Sequence, residues 1–198
     1  DFVELPYYFS TLKNSLVVCV LATLFATIIG LPMAYFIARY NIPGKRFINI
    51  CVMLSLMSPP FIGAYSWIVL LGRNGFVTKL LEKIGIHIPT IYGLGGILLV
   101  FSLKFFPYIF LYVSGALKSI DSSLEEAAEN LGVSGIRRIM TVTFPLVLPT
   151  IAAGALMVFM TSLADFGTPM LIGEGYRVLP VVVYQEFMSE TGGNASMA

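Results

Sequence analysis

The chain has 198 residues, 57% of them hydrophobic and 12% charged, with 12 Lys and Arg against 11 Asp and Glu and a mean hydropathy of +0.86. So little charge excludes a disordered segment, an acidic tail and a basic nucleic-acid binder, and makes the bilayer the main solvent. Cys19 and Cys51, both in apolar runs, give no disulfide framework or metal-ligand spacing and read as small core residues. The lone His87 supplies no haem pair or metal cluster, so no cofactor and no metal site are expected in this chain.

Four apolar stretches are long enough to cross a hydrocarbon core, which takes about 20 residues. They cover residues 14–38, 47–71, 93–117 and 146–166, and their only charged residues are Lys104 and Asp165. As a helix, 25 residues run roughly 37 Å, enough to cross with some tilt. Gly30, Ala34 and Ala38 recur every fourth residue in the first span and predict a smooth stripe for close helix packing. Prolines at 32, 59, 60, 107 and 149 are tolerated where neighbouring helices cover the freed carbonyls, and the Pro59-Pro60 pair predicts a break in the second span.

The connections follow in order. The first, 39–46, is short and basic. The second, 72–92, carries Phe76, Val77, Leu80, Leu81 and Ile84 at helical spacing, which predicts a short covering helix at the membrane interface. The third, 118–145, is long and polar. In the tail after the fourth span, Gly167, Pro169, Gly173, Gly175 and Pro180 predict a folded loop in place of one continuous helix. Four crossings put Arg39, Lys45, Arg46, Lys118, Arg137 and Arg138 on one side, and Lys13, Arg73, Lys79, Lys83 and Arg177 on the other. The totals are nearly equal, and only the density of the first loop favours that side as cytoplasmic. Position 1 is not Met, and no basic stretch precedes a short apolar one. The sequence reads as a fragment without a secretory signal.

The third connection has the most internal order. Asp121 or Ser122 can cap a helix whose first turn holds Glu125 and Glu126, acidic residues at the positive end of the dipole. Leu124, Ala127, Ala128 and Leu131 form its apolar edge, Gly132 supplies a left-handed stop, and a second short helix over 134–142 is expected to end before Pro145. A polar helix, turn and helix between two membrane spans presents a knob for the groove of a soluble partner.

This stretch resembles the EAA loop of the membrane-spanning permease subunits of binding-protein-dependent ABC importers. Glu126, Ala127, Ala128 and Gly132 match Glu-Ala-Ala, three residues, Gly. Nine residues then lead to Val142, Thr143, Phe144 and Pro145 where the family has Ile-x-Leu-Pro. Asn14-Ser15, Ala34-Tyr35 with Arg39, Pro43-Gly44 and Pro59-Pro60 also look like the family pattern. The resemblance implies an all-α, polytopic helical membrane protein with the ABC type I importer permease fold. The whole chain, 1–198, would be one partial permease domain, multi-pass in the bacterial inner membrane. The loop 118–145 would be cytoplasmic, with Glu126, Ala127, Ala128, Gly132 and Pro145 coupling it to ABC ATPase subunits. Further implied partners are an extracytoplasmic solute-binding protein, a second permease half, fused or separate, and membrane lipid, with no nucleic acid.

ATP hydrolysis falls to a separate subunit, because no Gly-x-x-x-x-Gly-Lys-Ser/Thr occurs here. The stretches 163–173, 175–184 and 189–194 are similar to permeases for ferric iron, with polyamine (spermidine/putrescine) and phosphonate permeases close behind. In the iron type two halves are often fused, and this chain looks like the first, ending where another span would begin. A membrane-embedded enzyme would need convergent catalytic side chains that Lys104, Asp165 and His87 do not supply, and a passive channel has no use for the loop.

Lys104 and Asp165 are candidates for the translocation path, since ionisable residues within spans are functional by default. Lys104 lies 11 residues past Gly93, about 16 Å at the helical rise, whereas Asp165 is one residue from the end of a span running the other way. On that count their depths differ too much for an ion pair. Lys104 should then face the path against carbonyls freed by Pro107, favouring an anionic solute or an anion-complexed metal.

Overall fold

The computed structural model describes residues 6–87 and 89–188, and among them all regular structure is helical. Three helices form the centre: α1 (Pro6–Arg39), α5 (Leu94–Ser119) and α8 (Phe144–Ala164), each packed on the other two. Along α1 every fourth residue from Val18 through Ala22, Ala26, Gly30 and Ala34 is buried and Ala38 is partly buried, so the stripe extends further toward the N-terminus than expected and lies against α5. At Gly30 the two backbones are so close that a Cβ would lie 2.8 Å from Ile109 Cβ and from the Phe106 carbonyl oxygen. α5 fills the core with Phe101, Phe105, Ile109, Phe110 and Leu117. The outer faces of α1 and α8 show Val20, Leu24, Ile28, Leu156 and Met160, which suits helices whose solvent is lipid.

The second expected span, 47–71, is not one rod. It is α2 (Lys45–Leu56) and α3 (Pro60–Leu71), and the chain bends by 109° at the break before continuing into α4 (Phe76–Lys83). Pro59 takes the extended conformation, φ −59° and ψ 143°, and Pro60 starts the new helix, where a missing N–H costs nothing. Among the described residues three helical stretches, Tyr8–Arg39, Leu94–Ser119 and Gly135–Ala164, are therefore long and apolar enough to cross alone, and a fourth crossing there requires the bent pair. Cys19 is buried in α1, but Cys51 of α2 is exposed, at a groove it lines with Met33 and Phe106, and is not a core residue.

The fourth span also departs from expectation. Helix continues from α7 (Gly135–Arg138) through a π turn (Ile139–Thr143) into α8, so the second short helix does not stop before Pro145. The wider turn explains this: the Phe144 N–H reaches back to the Ile139 carbonyl, and the register shift gives room for the Pro145 ring where an α-turn would clash. After α8 come α9 (Gly167–Ile172) and α10 (Leu179–Met188). Residues 189–194, part of the iron-permease likeness, lie outside the described residues.

Candidate functional site

The polar loop is built around α6 (Ser122–Asn130). Asp121 caps it, its Oδ1 accepting from the Ser123 N–H at 2.9 Å, and that backbone hydrogen bond holds the carboxyl below its ordinary range. Gly132 has φ +79°, and the C-terminal turn closes with the Gly132 N–H on the Glu129 carbonyl at 2.8 Å and the Val133 N–H on the Ala128 carbonyl at 3.1 Å. Only glycine adopts that φ without strain, so the stop at 132 is steric.

The turn folds α7 back toward α6, and Arg138 forms an ion pair with Glu129. The sequence reading missed this pair. Its nine-residue spacing matches no helical repeat, and only the reversal at Gly132 brings the two together.

Glu126 and Ala127 are exposed, Ala128 is buried under the turn, and Pro145 is exposed in the first turn of α8. Beside them stand apolar side chains with nothing over them: Leu131 is 84% exposed and Ile136 80%, with Leu124 and Met140 also open. Such residues, interspersed with charge at the end of a long apolar helix, form an open apolar face of the kind that partner proteins cover.

The second set is Lys104 and Asp165, and here the sequence expectation is overturned: they form an ion pair. The Asp165 side chain is 6% exposed and that of Lys104 21%. The two residues meet because α8 ends well below the start of α5, and α9 climbs the remaining distance alongside it. The Gly93 N–H donates to the Ile172 carbonyl at 2.8 Å, so Ile172 is level with the top of α5. From Asp165 to Ile172 one extended step and the helical residues 166–172 cover about 12 Å, which the long Lys104 side chain brings within reach of the 16 Å or so from Gly93 to Lys104.

Asp165 also caps α9, its Oδ1 accepting from the Thr168 N–H at 3.0 Å. The Lys104 ammonium lies 5.2 Å from the Phe105 ring centroid as well. Its counter-ion is thus Asp165, not the carbonyls freed by Pro107, and the pair presents no net charge. The inferred bias toward an anionic solute falls with the pairing. Among the described residues no three His, Cys, Asp or Glu side chains gather as a metal site.

A bundle of apolar helices, one of which projects a polar helix–turn–helix with an open apolar face, defines a multi-pass membrane protein. The chain belongs to the family of binding-protein-dependent transport system inner membrane components, which it matches over residues 22–197.

It is similar to a ferric transport system permease protein of Actinobacillus pleuropneumoniae, 32% identical over 180 residues that cover 90% of this chain and 26% of that protein. A molybdenum transport system permease protein of Haemophilus influenzae is 32% identical over 195 residues, covering 96% and 83%. A probable sulfate transport system permease protein of Prototheca wickerhamii is 30% identical over 189 residues, covering 93% and 72%. The chain spans only about a quarter of the length of the ferric permease it matches.

Among solved structures it is similar to a chain of a bacterial alginate ABC transporter in complex with a periplasmic protein. The TM-score is 0.75 at 20% identity, covering 93% of this chain and 68% of that one. The fold is that of an ABC importer permease, and the chain is an inner-membrane component of that family.

Proposed function

We propose that the chain is a permease domain of an ATP-driven importer, moving a solute handed over by an extracytoplasmic binding protein, and that the solute is ferric iron. The observation that carries the importer reading is the loop. Glu126, Ala127, Ala128 and Gly132 stand at the family spacing on a capped helix whose end at Gly132 is fixed by φ +79°, with Leu131 and Ile136 open to a partner. That knob is the docking element for a cytoplasmic ATPase subunit. Glu126 and Ala127 form the exposed contact, Ala128 and Gly132 shape the turn beneath it, and Pro145 sits at the root of the rod that carries motion into the membrane. A second permease half, fused or separate, completes the path, to which Lys104 and Asp165 belong, and lipid covers the outer faces of α1 and α8.

Iron is favoured by the likeness of 163–173 and 175–184 to ferric permeases and by the ferric relative. An oxyanion such as molybdate is the second reading, because the molybdenum permease shares the same identity over slightly more of the chain. The test is purification of the whole assembly, reconstitution in liposomes with its binding protein, and uptake of radiolabelled iron against molybdate. ATP-dependent iron uptake is expected. Molybdate uptake without iron uptake overturns the solute alone. Solute flux that needs no ATP, with no ATPase subunit co-purifying, overturns the importer in favour of a passive channel.

A further inference from the structure

We propose that the Lys104–Asp165 ion pair is a latch. It seats α9 against α5 and thereby holds shut the outer end of the path, where Phe61, Phe166 and Tyr184 meet; the proposal rests on the permease reading. α9 is clasped at both ends, below by Asp165 on Lys104 and above by the Ile172 carbonyl on the Gly93 N–H. Its other side carries α3: Gly167 lacks a Cβ where one would lie 3.2 Å from the Phe61 ring. Phe61 meets Phe166 edge to face at 5.4 Å between centroids, and Phe166 stacks on Tyr184 of α10 at 5.1 Å.

The short helix thus joins the second half of the broken span, the end of the fourth and α10. Its six residues are too few to hold a helix alone, so its place is set by what grips it. In an apolar interior, separating the pair leaves two uncompensated charges, which makes the seated and lifted positions distinct states. Asp165 is the positioning residue with two separable duties, since its Oδ1 caps α9 while its Oδ2 meets Lys104.

The protein carries its own reporter. Cys19, buried on α1, lines a cavity of about 10 Å³ together with Asp165 and with Pro169 of α9, so a lifted α9 uncovers its thiol. In the complete assembly in liposomes, with the exposed Cys51 replaced by Ser, the rate of Cys19 labelling by a small membrane-impermeant thiol reagent and the unfolding midpoint are measured together. Lys104→Met and Asp165→Asn, the latter able to keep the Thr168 cap, should each lower the midpoint and raise labelling about tenfold. The double variant Lys104→Met/Asp165→Asn leaves no unpaired charge and should recover the midpoint while labelling stays high.

Recovery of both readouts in the double variant shows a staple that only stabilises the fold and overturns the latch, as does unchanged labelling in the single variants. ATP-driven uptake by the unsubstituted assembly in the same liposomes keeps the two readings apart. Its absence sinks the permease reading, whereas its presence with unmoved labelling sinks the latch alone.

Discussion

At Gly132 one torsion decides where a whole element points. With φ +79°, a branched side chain there is strained by about 1–3 kcal/mol, and the turn relaxes at the expense of the α6–α7 angle. Gly132→Val should cut solute-stimulated ATPase activity several-fold at unchanged membrane insertion, and Gly132→Asn should do less, because Asn visits the left-handed region more readily. Glu126→Ala should be milder than Gly132→Val; equal losses would show the glutamate to be a contact and more than a dipole partner. Gly30 is constrained by space. Gly30→Ala sets a methyl 2.8 Å from a backbone oxygen that cannot retreat, and overpacking of this kind costs about 1–3 kcal/mol. Gly115→Ala in α5 meets nothing within 4 Å and should leave the unfolding midpoint in detergent unchanged or raised. Gly30 and Gly132 stood out in the sequence for sound reasons, the first in a four-residue repeat and the second just past an apolar periodicity. Cys51 did not fit its reading, since an apolar neighbourhood in sequence does not say which way a membrane helix turns its faces when lipid is as acceptable as core.

At the scale of elements, α6 was legible because each of its signals is local: a capping Asp121, acidic residues in the first turn and a glycine stop. The end of the following helix was not, because Pro145 reads as a terminator and nothing in the sequence announces the π turn that accommodates it. The Lys104–Asp165 pair was missed for a related reason. Counting depth from span ends assumes that antiparallel spans stop at one level, and the return through α9 breaks that assumption. The Asp121 cap makes a testable signature. Its carboxyl is held below the ordinary 3.8 by hydrogen bonds from Ser123, so the cap's contribution is fully present above 3.8 and is lost as pH falls through the lowered value. Hydrogen exchange at the Ser123 and Leu124 amides should accelerate in acid beyond the intrinsic rate. Asp121→Asn, which caps without titrating, should abolish that extra acceleration, and Asp121→Ala should raise exchange at every pH.

The whole molecule is organised by the helical rod Gly135–Ala164, whose 30 residues run about 45 Å, longer than a hydrocarbon core of roughly 30 Å. Arg138 ties one end to α6 and Asp165 ties the other to α5, so one helical body links the loop to α9 at the far side. One crossing by this rod puts the docking knob and the α9–α10 region on opposite faces of the membrane whether or not the bent α2–α3 pair makes a full crossing. The direction of that crossing was not legible, because basic residues are almost evenly divided and the positive-inside rule needs an imbalance. With the knob in the cytoplasm, the turn at Glu174, exposed between α9 and α10 and ion-paired to Arg73, faces outward. In intact cells with Cys51 replaced by Ser, Glu174→Cys should react with a membrane-impermeant thiol reagent added from outside, and a cysteine at the exposed Arg137 should react only after the cells are opened. The reverse pattern would invert the protein in the membrane and remove the knob from the compartment that holds ATP.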